Sequence, residues 1–151
     1  MEGTTHDWLH EEAWEDIDPL WQGRILAILE DLASLEQLQS CQVHTNQGTP
    51  LTKTILQGGK SGGEEASPLP QSGKLFGAVE QTFLLLGEEL PIYLVERRKD
   101  SLLYIGFAAG MILSALFESD CAEGAVAMRF EKRIRHLRSL ERTRNRGALY
   151  V

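Results

Sequence analysis

The chain has only two cysteines, Cys41 and Cys121, in 151 residues, too few for a disulfide framework in a domain of this size, so reduced thiols in a cytosolic protein are expected. Residues 1–18 contain no Lys or Arg. A secretory leader needs a basic start, so none is expected here. An ATP- or GTP-binding loop is missing too: Gly59-Lys60-Ser61 has the right ending, but Thr54 stands where the first glycine belongs. Gly-Gly-Glu-Glu follows instead of a helix, and without a helix N-terminus nothing would cradle phosphate. Cys41 and His44 are spaced like metal ligands but have no second pair, and His6 and His10 lie in the acidic N-terminal stretch. No Ser/His/Asp set or paired carboxylates stand out. The expectation is a protein that is not an enzyme and that carries no cofactor and no metal.

The longest uncharged stretch, Ser101 to Phe117, is 17 residues and holds Gly106 and Gly110. It falls short of the roughly 20 residues that cross a bilayer as a helix. With Arg97, Arg98 and Lys99 before it, a single-span membrane-anchored adaptor is one alternative. Two adjacent buried strands are the other, and the soluble character of the flanks favours them.

What is present is charge polarity. The total is −7, which argues against broad nucleic-acid binding, yet residues 1–18 hold seven acids while 129–146 hold eight bases against two acids. The two ends are suited to different partners or to each other. Trp14, Ile17 and Trp21 share one helical face, and Trp8 precedes them. Tryptophan among acids fits a short segment that folds onto a groove, making Trp8 and Trp14 candidate partner-binding residues. Arg129 and Arg133 are the matching candidates at the basic end, by electrostatic steering or by donating an arginine to a partner's phosphoryl chemistry.

Between the ends, Asp18-Pro19 opens a helix whose apolar stripe is Ile25, Ile28, Leu29, Leu32 and Leu35. Leu38–Thr45 and Leu51–Leu56 alternate about the turn Asn46-Gln-Gly-Thr-Pro50, the pattern of a hairpin. Residues 58–73, with five glycines and two prolines, read as a flexible connector. A second helix spans Lys74–Leu90 with stripe Leu75, Val79, Phe83, Leu86, Leu90, widened by Phe76 and Leu84 and stopped by Pro91. That arc is broader than one sheet face needs. Ile92–Arg98, Leu102–Ala108 and Met111–Phe117 form a three-strand meander. Asp120 and Glu123 then cap a last helix with stripe Val126, Phe130, Ile134, Leu137. The domain divides as an acidic tail 1–18, a folded unit 19–142 and a flexible tail 143–151.

This order, together with His44-Thr-Asn-Gln-Gly-Thr-Pro-Leu51, Ala78–Leu90, Leu103-Tyr-Ile-Gly-Phe and Met111–Phe117, resembles the roadblock/dynein light-chain family. Asn46 or His44 stands where that family's hairpin usually has aspartate, and the likeness covers roughly residues 20–140. It implies an αββαβββα sandwich on a five-stranded, mostly antiparallel sheet. It further implies a homodimer formed through the second helix and the edge strand after it. The candidate interface residues there are Phe76, Glu80, Leu84, Ile92 and Leu94. An edge strand with unpaired backbone groups and an over-apolar helix support the same surface on physical grounds. Family members regulate or scaffold Ras-like small GTPases, in prokaryotes those that set motility polarity, or attach cargo to motors. The expected role is therefore a cytoplasmic, non-catalytic dimeric regulator of such a GTPase. A general dimeric scaffold unrelated to GTPases is the remaining alternative, as is an intramolecular switch in which the acidic end covers the basic one.

Overall fold

A computed structural model describes residues 19–45, 49–62, 67–88, 93–108, 111–120 and 123–149. Helix α1 (Pro19–Ala33) leads into β1 (Leu38–Thr45), β2 (Thr54–Leu56) and β3 (Ser61–Gly62). Helix α2 (Leu69–Leu86) precedes the meander β4 (Tyr93–Arg97), β5 (Ser101–Ala108) and β6 (Met111–Glu118), and α3 (Glu123–Leu149) closes the chain.

The six strands form one sheet in the order β3-β2-β1-β6-β5-β4. Every pairing is antiparallel. The sheet thus has six strands rather than the five expected. The extra one arises inside the glycine-rich stretch: Gly58 and Gly59 take positive φ (83° and 89°), turning the chain so that Leu56 N–H donates to the Lys60 carbonyl at 2.7 Å. Glycine takes that backbone without the Cβ clash that hinders other residues. Ser61 accordingly starts a strand, not the helix a phosphate loop requires. The segment 101–117, weighed above as a membrane span, is two strands of the sheet, β5 and β6, in register from Ser101↔Glu118 to Ala108↔Met111. Among the described residues no helix is long and apolar enough to cross a membrane.

Side chains alternate across strands, so each strand feeds two faces. On one face Cys41, Val43, Tyr104, Leu113, Ala115 and Phe117 meet Ile25, Leu29 and Leu32 of α1 and Val126, Phe130, Ile134 and Leu137 of α3. On the other, Leu103, Ile105, Phe107 and Ile112 meet Phe76 of α2. Three layers result: α1 with α3, the sheet, and α2. The stripes expected for α1 and α3 are the buried ones. The central strands are apolar on both faces because both faces are covered.

Helix bounds differ from the periodicity at three places. The first helix ends at Ala33, before the last stripe residue Leu35, where Ser34 N–H and Oγ–H both donate to the Asp31 carbonyl (3.3 and 2.6 Å). The second runs Leu69–Leu86, starting within the expected connector and ending before Leu90. Its stop is Gly87, not Pro91: Gly87 has φ 71°, its N–H donates to Leu84 O and the Glu88 N–H donates to Phe83 O, a Schellman closure. The last helix continues to Leu149, through residues assigned above to a tail. Its Glu, Leu and Arg are strong helix formers, enough to carry the helix past the last buried turn.

Candidate protein-interaction surface

The feature that sets this surface is the sheet edge. Strand β4 pairs with β5 on one side, from Tyr93↔Gly106 to Arg97↔Leu102, and no described strand lies on its other side. Such an edge carries backbone donors and acceptors in position to extend the sheet. Leu84, Leu85 and Leu86 at the end of α2, the helix that precedes β4 in the chain, are 77%, 81% and 65% exposed. A single exposed leucine is ordinary, but three together at one helix end concentrate apolar surface that a partner could cover. Leu86, placed above in the buried stripe, is therefore on the outside. Three consecutive helical positions are about 100° apart, so one sheet cannot cover all three. The run Leu84-Leu85-Leu86 carried that signal in the sequence.

The interface residues expected from the sequence separate into groups. Phe76 belongs to the chain's own core, its ring 5.3 Å from that of Phe107. Leu94 is half-buried and packs on the same cluster. Glu80 and Leu84 are on α2 and both are exposed, and Ile92 lies outside the described residues. The surface therefore narrows to the C-terminal end of α2 and the open side of β4. Among the partner-binding candidates, Trp8 and Trp14 also lie outside the described residues. Arg129 and Arg133 turn toward α1: Arg129 Nη2 donates to Asp31 Oδ1 at 2.7 Å and Arg133 Nε to Asp31 Oδ2 at 3.0 Å. One carboxylate thus ties two helices together through charge-assisted hydrogen bonds. Arg138 Nε donates to the Phe107 carbonyl at 2.7 Å, fastening α3 to the end of β5. Much of the basic helix is therefore employed in holding the fold.

Cys41 and His44 do not converge. Cys41 and His44 are three residues apart on a strand, so they face opposite sides of β1 and cannot share a metal. Cys41 is buried in the α1/α3 core, where desolvation pushes its thiol up to about 12. His44 lies on the α2 side with Ser114. Its Nδ1 is 3.0 Å from the Thr45 carbonyl and its Nε2 is 2.9 Å from Ser114 Oγ. A carbonyl only accepts, so Nδ1 carries the proton and Nε2 accepts from the Ser114 hydroxyl. Burial lowers the His44 pKa from its usual value, against a smaller upward pull from the Thr45 bond. Beside it Gln42 Nε2 donates to the Thr52 carbonyl at 2.8 Å and Gln42 Oε1 accepts from Ser67. This polar strip is satisfied within the chain except at Ser40 Oγ. Among the described residues no group of three or more His, Cys, Asp or Glu is placed to hold a metal ion.

The same arrangement of strands and helices occurs in solved proteins. The gliding protein MglB from Thermus thermophilus superposes with a TM-score of 0.60 at 19% identity, over 82% of this chain and 92% of that one. Myxococcus xanthus MglB gives 0.61 at 16% identity, over 83% and 92%. A Roadblock/LC7 domain from Streptomyces avermitilis gives 0.56 at 13% identity, over 76% and 94%. The chain has the roadblock fold. No family model matches the sequence, and no curated protein sequence does either. At these identities the likeness establishes architecture and leaves the binding surfaces to be argued from this chain's residues. Among the described residues of this roadblock fold, β4 is an edge strand and the leucine-bearing end of α2 is exposed.

Proposed function

We propose that this protein is a non-catalytic homodimeric scaffold of the cytosol that binds a Ras-like small GTPase. The observation that carries the reading is the coincidence of an open antiparallel edge with exposed Leu84, Leu85 and Leu86. Two copies related by a two-fold axis would pair β4 with β4, extending each sheet into the other. The leucines supply the apolar floor for that pairing. Burying a leucine side chain contributes about 1.5–3 kcal/mol, so a few per protomer can hold a dimer against the cost of association. The GTPase partner rests on the family resemblance together with the roadblock fold, and the MglB neighbours include a gliding protein. The non-catalytic reading rests on the placement of Cys41 and His44 on opposite sides of β1.

Leu84→Asp tests the dimer. Leu84 is exposed within the protomer, so the variant should keep its helical signal while sedimenting as a monomer. Leu94→Asp is a poorer probe, because Leu94 packs on the chain's own core. A Leu84→Asp protein that stays dimeric at micromolar concentration places the interface elsewhere. Capture from native lysate with and without a GTP analogue then tests the partner class.

A further inference from the structure

On the face of the sheet opposite α2, α3 and β4 enclose a groove of about 370 Å³ lined by Tyr93, Ala127, Met128, Glu131, Lys132 and Arg135. The floor is apolar. Tyr93 stands with its ring centroid 6.0 Å from that of Phe130, and Met128 is 76% exposed at the rim. Val95, two residues along the strand and so on the same face as Tyr93, is 42% exposed and extends the floor. The wall is cationic, with Lys132 and with Arg135, which reaches Glu131 at 2.8 Å through a largely exposed ion pair. An exposed pair of this kind is worth little and yields readily to another carboxylate. An apolar floor beneath a cationic wall fits an aromatic or aliphatic side chain flanked by acids.

One segment of this chain has that composition. Residues 1–18 carry seven acids and no Lys or Arg, with Trp8, Leu9 and Trp14 among them. They join the described structure at Pro19, the start of α1, and α1 is fastened to α3 through Asp31 with Arg129 and Arg133. The tether therefore begins on a helix fixed to the one that bears the groove, about 18 Å along α1 from the Asp31 contact. Counted from Pro19, extended chain carries Trp14 up to about 17 Å and Trp8 up to about 37 Å, the latter comparable to the roughly 40 Å length of α3. A tether of such length holds its end at an effective concentration on the order of 1 mM, so even weak intrinsic affinity keeps the groove filled.

We propose that residues 1–18 dock in cis into the groove between β4 and α3, a tryptophan entering beside Tyr93 and Met128 and the carboxylates meeting Lys132 and Arg135. The contact masks the basic side of α3 and yields to salt or to a better-matched acidic partner. It shares β4 with the proposed dimer edge but lies on the sheet face opposite α2 and its leucines, and Leu84→Asp changes no residue that lines the groove.

A photo-reactive benzoylphenylalanine at position 128 of the full-length chain reads this directly, because Met128 is exposed and tolerates the replacement. At low salt, mass mapping should place the cross-link within residues 1–18 of the same chain, with isotope-mixed protein distinguishing copies. The yield should fall about fivefold or more at 0.5 M salt, where screening shortens the Debye length to a few ångströms. The exposed double variant Lys132→Glu with Arg135→Glu should lower it similarly at low salt. Cross-links mapping outside residues 1–18, cross-links to a second copy, no cross-link, or a yield indifferent to both salt and charge reversal each overturn the proposal.

Discussion

Gly106 offers the sharpest test of how the α3 layer meets the sheet. A Cβ built there would sit 2.1 Å from Ile134 Cδ1, 2.4 Å from Ile134 Cγ1 and 3.0 Å from Phe130 Cε2. Carbon atoms rest at about 3.5–4.0 Å, so Gly106→Ala demands more than an ångström of movement from a fully buried side chain. Ile134 must leave its rotamer or α3 must lift, and α3 is held by Arg138 on Phe107 O and by Asp31 on Arg129 and Arg133. Overpacking of this sort costs about 1–3 kcal/mol. Alanine in a strand regains roughly 0.5–1 kcal/mol over glycine, leaving a net loss of about 1–2 kcal/mol. For a chain of this size that lowers Tm by about 2–8 °C. Urea unfolding at fixed protein concentration measures it, since dimerisation would make stability depend on concentration. Ile134→Ala alone leaves a cavity and should cost about 2–5 kcal/mol. In the double variant the new methyl occupies part of that cavity, so the two losses should fall short of additivity by at least about 1 kcal/mol. A Gly106→Ala chain as stable as the parent, or strictly additive losses, would refute the packing described.

Two further outcomes follow from buried groups. His44 is neutral in the fold and its pKa is lowered from 6.5, so the unfolded chain takes up the proton first as pH falls. Stability should therefore be complete above about pH 6.5 and decline below it, by at most about 1.4 kcal/mol per pH unit. Comparing Tm at pH 7.5 and 5.5 in the parent and in His44→Gln should show the smaller drop in the variant; equal drops would mean that His44 does not titrate in this way. The Cys41 thiol, buried and pushed up to about 12, should resist iodoacetamide at pH 8 in the folded protein and react on unfolding in urea. Peptide mapping that finds Cys41 alkylated under native conditions would contradict its burial.

Charge and apolar period were legible from the residues because they act locally. A stripe such as Val126, Phe130, Ile134 and Leu137 has one way to be buried, and α3 buries it. The last two strands of the meander announced two covered faces by being apolar at nearly every position. Element order carried the roadblock likeness for the same reason. Limits appeared where a competing local signal won. Gly87 ended α2 before Pro91 was reached, and Gly58 with Gly59 made a hairpin in a stretch whose composition reads as linker.

Residue order alone was enough to set three helices, the buried stripes of the first and last, the meander, and the opposition of an acidic start to a basic end. These depend on near neighbours and on spacing along one element. Which apolar residues are surplus was settled by packing at a distance. Phe76 and Leu84 share a helix and an apolar character, yet one lies against Phe107 and the other faces outward. Arg129 and Arg133 looked available until Asp31, about a hundred residues away in the chain, was brought beside them. Strand order made β4 the edge, and an edge is a property of the whole sheet that no single strand encodes.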